Sequence, residues 1–391
     1  VLSCEFKEPG HPVYCFTSDG SYEDLKNTWQ RFHELCQAGK VRAAWAVDAG
    51  GVSEAVVKMS FGNTIGFRGE DTDCGYGDII AELTEDCDFG RKIGYTCQEP
   101  VIVLDDEKVS IGELYDINTA VLESVYPTKT QETKAPVPVF NYEAKSYPAP
   151  AVKTAKPRVL IPVFPGTNCE YDSARAVLAA GAEADIAVIR NLTAEDVARS
   201  VEDVAKRIGE SQMIFIPGGF SGGDEPDGSA KFITAFFRNP AIKEQVTALL
   251  ENRDGLMCGI CNGFQALIKL GLVPYGKIID TDASCPTLTF NTIARHQSRI
   301  VRTRVASNKS PWLSLTNVGD IYNVPISHGE GKFLASQELV KQLADNGQIA
   351  TQYVDLEGNP TMDAAFNPNG SVCAIEGITS PDGRVFGKMG H

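Results

Sequence analysis

Beyond residue 158 two periodicities alternate along the chain. Val159–Phe164, Asp185–Arg190, Met213–Ile216 and Leu256–Ile260 are short, nearly continuous apolar runs. Between and after them, Asp172–Ala180, Ala194–Ile208 and Gly263–Leu270 carry apolar residues at helical spacing. Strand then helix, joined by short turns, predicts βαβ units and a parallel sheet covered on both faces. Ligands of such sheets sit at the carboxyl ends of the strands. A Gly-rich turn at 217–223, opening Pro217-Gly218-Gly219, and the turn Gly259-Ile260-Cys261-Asn262-Gly263 both fall there.

The first part of the chain reads as mixed α and β. Ser21-Tyr22-Glu23-Asp24 places a capping hydroxyl three residues before a carboxylate, and Leu25, Trp29, Phe32 and Cys36 follow at helical spacing. Val41–Val47 reads as a strand, ending at Asp48-Ala49-Gly50-Gly51 and followed by a helical pattern of Val52, Ala55, Val56 and Met59. Ser110 and Glu113 cap a further helix with Leu114, Ile117, Val121 and Val125 on one face. From Tyr126 to Pro157 prolines fall among Lys, Thr, Glu and Ala without apolar periodicity, the pattern of an extended linker. The expected organisation is a first domain over 1–125, a Pro-rich linker over 126–157 and a larger domain over 158–391.

Length and charge narrow the possibilities. A chain of 391 residues suits two or three domains. With 36 Lys and Arg against 51 Asp and Glu, the net charge is −15, which disfavours a nucleic-acid partner. No stretch approaches the ~18 apolar residues of a membrane span, and Val1-Leu2-Ser3-Cys4 begins neither a basic nor an apolar signal segment. Eleven dispersed cysteines point to a reducing, cytoplasmic setting rather than a disulfide scaffold. Cys258 and Cys261 form a C-x-x-C pair, but no second pair or H-x-x-x-H follows, so no metal site is expected.

The chemistry centres on Cys261. Glycines on both sides let a sharp strand-to-helix turn lift the central side chain above the sheet, as in a nucleophile elbow. The following helix favours a thiolate there, and the Asn262 backbone N–H would face a developing oxyanion. Cys258, inside the strand, reads as core. A thiol nucleophile needs a base. Of five histidines, His11 and His33 lie in the other domain and His296 in a polar segment with Arg295 and Arg299. Spacing alone does not choose between His328, in Ser327-His328-Gly329-Glu330-Gly331, and His391.

Residues 158–391 resemble the class I glutamine amidotransferase domain of the phosphoribosylformylglycinamidine synthase family. The resemblance rests on Phe164-Pro165-Gly166-Thr167-Asn168-Cys169-Glu170, Pro217-Gly218-Gly219-Phe220-Ser221, Gly259-Ile260-Cys261-Asn262-Gly263-Phe264-Gln265, Ser327-His328-Gly329-Glu330-Gly331 and Gly390-His391. It implies an α/β fold with a flavodoxin-like, doubly wound, mostly parallel sheet, preceded by a smaller α+β domain. Residues 20–125 resemble the C-terminal half of an aminoimidazole-ribonucleotide-synthetase-like domain, through Gly50-Gly51-Val52-Ser53-Glu54-Ala55 and Met59-Ser60-Phe61-Gly62-Asn63. A synthetase portion would then precede residue 1.

The same resemblance makes Cys261 the nucleophile that forms a γ-glutamyl thioester and His391 the general base and acid. It implies a Glu two residues beyond His391 to orient the ring. Gly219 and Asn262 would supply oxyanion N–H groups, and Gln265 and Asn291 would bind glutamine. Ile293 and His296 stand where the family has Ser and Phe, and Trp45-Ala46-Val47-Asp48-Ala49 where it commonly has His-Asp. Asp48 and Glu54 receive no role. The activity implied is glutamine hydrolysis feeding ammonia to an ATP- and magnesium-dependent synthetase, with no cofactor in the glutaminase domain. Two alternatives remain open at this point: a non-catalytic amidotransferase-fold assembly module, and a cysteine peptidase or acyl transferase on the same elbow.

Overall fold

The computed structural model describes residues 2–128, 130, 136–147, 150, 153–220 and 229–391. Ser221 and the rest of the Gly-rich turn at 217–223 beyond Phe220 lie outside them, as does part of the expected linker. The chain divides into two compact units, Val1–Pro127 and Thr128–His391.

The first unit is α+β. Its seven-stranded sheet runs in the order Val41–Ala46, Ile79–Leu83, Pro12–Phe16, Arg91–Cys97, Gly66–Gly69, Val101–Leu104 and Glu107–Ser110. Only the pairing of Gly66–Gly69 with Val101–Leu104 is parallel among the described strands. Alternation along Pro12–Phe16 sends Val13 and Cys15 to one face and Tyr14 and Phe16 to the other. Helix Gly51–Phe61 covers the first face through Val52, Ala55, Val56 and Met59. Phe32, Leu35 and Cys36 of helix Tyr22–Gln37 cover the second.

Both caps read from the sequence are present: Ser21 accepts from the Asp24 N–H and Ser110 from the Glu113 N–H. The stripe expected after Ser110 is only partly used. Helix Ile111–Ala120 ends before Val121, and Ile111 and Leu114 reach the core while Ile117, Val121 and Val125 are exposed. Trp29 is half exposed and donates to the Gly77 carbonyl at 2.8 Å rather than filling the core. Cys15 and Cys74 are joined as a disulfide and the other nine cysteines form none, a departure from the all-thiol expectation.

In the second unit, five strands run parallel in the spatial order Glu183–Val188, Arg158–Val163, Met213–Ile216, Leu256–Ile260 and Val385–Lys388. In chain order that is 2-1-3-4-5, the flavodoxin-like winding expected above. Four antiparallel strands extend the same sheet beyond Val385–Lys388: Ile375–Thr379, Ile349–Tyr353, Gln297–Val305 and Ile321–His328. The seven strands and helices expected between residues 159 and 270 fall within two residues of their expected bounds, whereas helices Lys231–Phe237 and Pro240–Thr247 were not foreseen. The antiparallel half was not foreseen, because its buried strands Ile349–Tyr353 and Ile375–Thr379 interrupt their apolar residues with Thr, Gln, Glu and Gly, and its strands follow long irregular connections.

Within the Pro-rich segment, the described residues 136–147 are anchored to this antiparallel half. Phe140 N–H donates to Gln352 Oε1 at 3.0 Å, the Gln352 amide donates back to the Pro138 carbonyl, and Tyr142 bridges to Ser307. The anchors are backbone groups and single rings, which leave no periodicity in the sequence. Among the described residues no helix is long and apolar enough to cross a membrane.

Candidate active site

The chain reverses order between the first and third parallel strands, and the loops leaving their carboxyl ends are knitted together there. Phe220 N–H donates to the Gly166 carbonyl at 2.8 Å, Asn168 N–H to the Gly218 carbonyl at 3.4 Å, and Thr167 bridges to Gly219. This is the switch point at which such sheets bind ligands. The elbow leaves the fourth strand beside it.

Cys261 stands between strand Leu256–Ile260 and helix Asn262–Leu270 with φ 53° and ψ −106°. A β-carbon-bearing residue with positive φ is strained and persists only where its surroundings hold it. The Cys261 N–H donates to the Lys388 carbonyl at 2.9 Å, and its own carbonyl accepts from the Gln265 N–H at 3.0 Å. The helix can start this close to the sheet only because residue 263 is glycine: a Cβ there would lie 2.1 Å from the Ile216 carbonyl oxygen. The thiol therefore sits at the start of a helix and at the carboxyl edge of the sheet. Cys258 is the opposite case. Burial within the strand pushes its thiol up to about 12, and it is core, as read from the sequence.

His391 belongs to the same edge. Strand Val385–Lys388 runs beside Leu256–Ile260, pairing Lys388 with Ile260, and His391 follows three residues on. Its Nε2 lies 3.6 Å from Cys169 Sγ, its Nδ1 3.4 Å from the Met389 carbonyl, and its ring covers Gly218. The backbone N–H of His391 donates to the Pro325 carbonyl. In the sequence Cys169 stands out only as part of a motif. The structure puts it against the imidazole, and burial, reinforced by Asp172 and Glu170, raises its pKa and keeps it protonated.

His328 occupies a different environment. It is 1% exposed, and neither ring nitrogen has a hydrogen-bond partner, so neither is bonded to the Cys261 thiol. Burial first, then the nearby His296 and His391, pulls its pKa down to about 4. Its ring is neutral and packed against Gly331.

The remaining site residues are buried and hold the loop 328–331 against the elbow. Gln265 is 2% exposed rather than a solvated helix residue; it donates to the Glu330 carbonyl at 2.6 Å and accepts from the Asn262 amide at 2.9 Å. Asn291 donates to the His328 and Arg295 carbonyls and accepts from the Gly331 N–H. One carboxylate oxygen of Glu330 accepts from the Ser229 N–H and hydroxyl. His296 pairs with the Ser327 hydroxyl at 2.9 Å. In the first unit a carboxyl–carboxyl hydrogen bond with Asp48 raises the pKa of Glu54.

A strained thiol at a helix start, a backbone N–H beside it and an imidazole on the adjoining strand extension are the parts of a thiol acyl-transfer site. Residues 156–391 match the family described as the CobB/CobQ-like glutamine amidotransferase domain, and the chain belongs to that family. The phosphoribosylformylglycinamidine synthase subunit PurQ of Methanococcus maripaludis strain S2 is 35% identical over 241 residues, spanning 60% of this chain and 81% of that protein. The same subunit of Aquifex aeolicus is 32% identical over 231 residues, spanning 59% and 87%. Among solved structures, PurLQS from Thermotoga maritima aligns with a TM-score of 0.43 at 24% identity, over 60% of this chain and 87% of that one.

Proposed function

We propose that the second unit is the glutaminase portion of phosphoribosylformylglycinamidine synthase. Cys261 attacks the side-chain amide carbon of glutamine, and its proton passes through His391 to the departing ammonia. The oxyanion that forms is met by the N–H groups of Asn262 and Gly219. The γ-glutamyl thioester is then opened by water, with His391 as the base, and glutamate leaves. Gln265 and Asn291 shape the glutamine pocket from the elbow side and from the 328–331 loop. Ammonia is consumed by an ATP-dependent synthetase portion that converts formylglycinamide ribonucleotide to its amidine, so the net reaction is C–N ligation in purine biosynthesis, in the cytoplasm.

In this reading the first unit is part of an aminoimidazole-ribonucleotide-synthetase-like domain, and the chain belongs to the large single-chain form of the enzyme. ATP and magnesium are assigned to that synthetase portion. Among the described residues no group of three His, Cys, Asp or Glu side chains is placed to hold a metal ion, and no step here is routed through one.

The observation that carries the proposal is Cys261 held at positive φ at a strand end beside the switch point. The test is release of glutamate and ammonia from glutamine by the chain and by Cys261→Ala. Hydrolysis by the first and none by the second is expected. Preference for peptides or simple esters over glutamine would favour the peptidase or acyl-transferase alternative, and absence of any thioester at Cys261 the assembly module.

A further inference from the structure

Strand Ile375–Thr379 reads Ile-Glu-Gly-Ile-Thr, a carboxylate inside an otherwise apolar stretch. Glu376 lies in the middle of the nine-stranded sheet and is 1% exposed. A carboxylate buried this deeply is tolerated only when donors replace the water it has lost. Three are present. The Gly390 N–H donates to Oε1 at 2.7 Å, the Thr351 hydroxyl donates to Oε2 at 2.5 Å, and Lys388 Nζ lies 4.0 Å from Oε1.

The Gly390 donor and the Lys388 cation both belong to the segment that carries His391. Lys388 ends strand Val385–Lys388 and passes its backbone carbonyl to the Cys261 N–H, while Gly390 immediately precedes His391. There is little slack on the other side. A Cβ at Gly390 would lie 2.7 Å from Val324 Cγ2 and 3.3 Å from Glu376 Oε1, and the His391 N–H is itself bonded to Pro325. The segment 388–391 is thus held at the elbow by Lys388, at the buried carboxylate by Gly390 and at strand Ile321–His328 by His391. Of these ties, the bond to Glu376 is the one made by a charged side chain, and charge-assisted hydrogen bonds are roughly twice as strong as neutral ones.

We propose that Glu376 is a positioning residue for His391: its carboxylate anchors the Gly390 N–H and so sets the imidazole at the sheet edge where Cys261 stands. The inference rests on the reading of Cys261 and His391 as nucleophile and base. Glu376 touches neither glutamine nor the thiol; it acts through one peptide unit. Misplacing a reacting group by about an ångström costs on the order of 10² in rate while leaving substrate binding largely intact.

The test compares Glu376→Ala with Glu376→Gln, which keeps an acceptor oxygen for Gly390 and a partner for Thr351. Glu376→Ala is expected to lower kcat for glutamine hydrolysis by ~10²-fold with KM within about threefold, and Glu376→Gln to recover kcat to within about tenfold. The imidazole Cε1–H resonance of His391, assigned through His391→Asn, should sharpen toward its random-coil position in the Ala variant and stay near the parent position in the Gln variant. An Ala variant with unchanged kcat and an unchanged His391 resonance overturns the proposal. So does a Gln variant as impaired as Ala, with kcat and melting temperature falling and KM rising together. If the parent chain hydrolyses no glutamine, the proposed function fails, and the resonance alone then decides whether Glu376 places His391.

Discussion

Acid should weaken the second unit through His328. An unfolded histidine titrates near 6.5, whereas this buried ring holds out to about 4. Between those values the unfolded chain binds a proton that the folded chain refuses, so stability rises with pH across the window and is lost as pH falls through it. The gap amounts to about 3 kcal/mol at ~1.4 kcal/mol per pH unit. Because the ring is buried, solvent screening does not reduce it much. The assay is urea unfolding followed by Trp312 fluorescence, with Trp29→Phe and Trp45→Phe removing the other two of the three tryptophans. Measurements at pH 7, 5.5 and 4.5 on this background and on its His328→Phe derivative give the difference. Any packing change in the variant shifts its whole curve and cancels from the slope. The parent should lose most of the ~3 kcal/mol between pH 7 and 4.5 relative to the variant. Parallel curves, within about 0.5 kcal/mol, would refute the buried neutral imidazole.

Three further outcomes are expected. Gly263→Ala pushes a methyl into the Ile216 backbone, so it should destabilise by about 1–3 kcal/mol in urea melts and slow Cys261 labelling, whereas Gly209→Ala, whose Cβ meets only the end of Gln245, should be neutral or better. Arg253 donates to the carbonyls of Ile208, Gly209 and Ser211 at the end of helix Ala194–Glu210, and Arg253→Ala should cost roughly 2 kcal/mol by the same melts. Iodoacetamide at neutral pH should modify Cys261 faster than Cys258 by peptide mapping; the reverse order would remove the elbow from the account.

The first four parallel strands of the second unit were legible because buried strands read as apolar runs and the helices between them as 3.6-period stripes; the fifth, Val385–Lys388, and helices Lys231–Phe237 and Pro240–Thr247 were not. The elbow was legible for a related reason. Glycines at 259 and 263 mark close backbone approaches, Gly263 to the Ile216 backbone and Gly259 to the backbone of Gly263 itself. What could not be read is where long-range contacts decide. Asn291 serves the 328–331 loop through backbone carbonyls and an N–H, and nothing in its neighbourhood of the sequence specifies those partners. Cys169 meets His391 across 222 residues. Glu376 did leave a signal, a lone carboxylate in an apolar strand, whose meaning required knowing that Gly390 lies beside it. In the first unit the stripe after Ser110 overstated the core, because only the first turns of Ile111–Ala120 face the sheet.

The central claim is that Cys261 is the residue glutamine acylates. A chloroketone analogue of glutamine, incubated with the chain and followed by peptide mapping, tests it most directly. One adduct on the peptide carrying Cys261, slowed by excess glutamine and absent from Cys261→Ala, is the predicted result. An adduct on Cys169 or Cys258 instead, or labelling of Cys261 that glutamine does not slow, would contradict it.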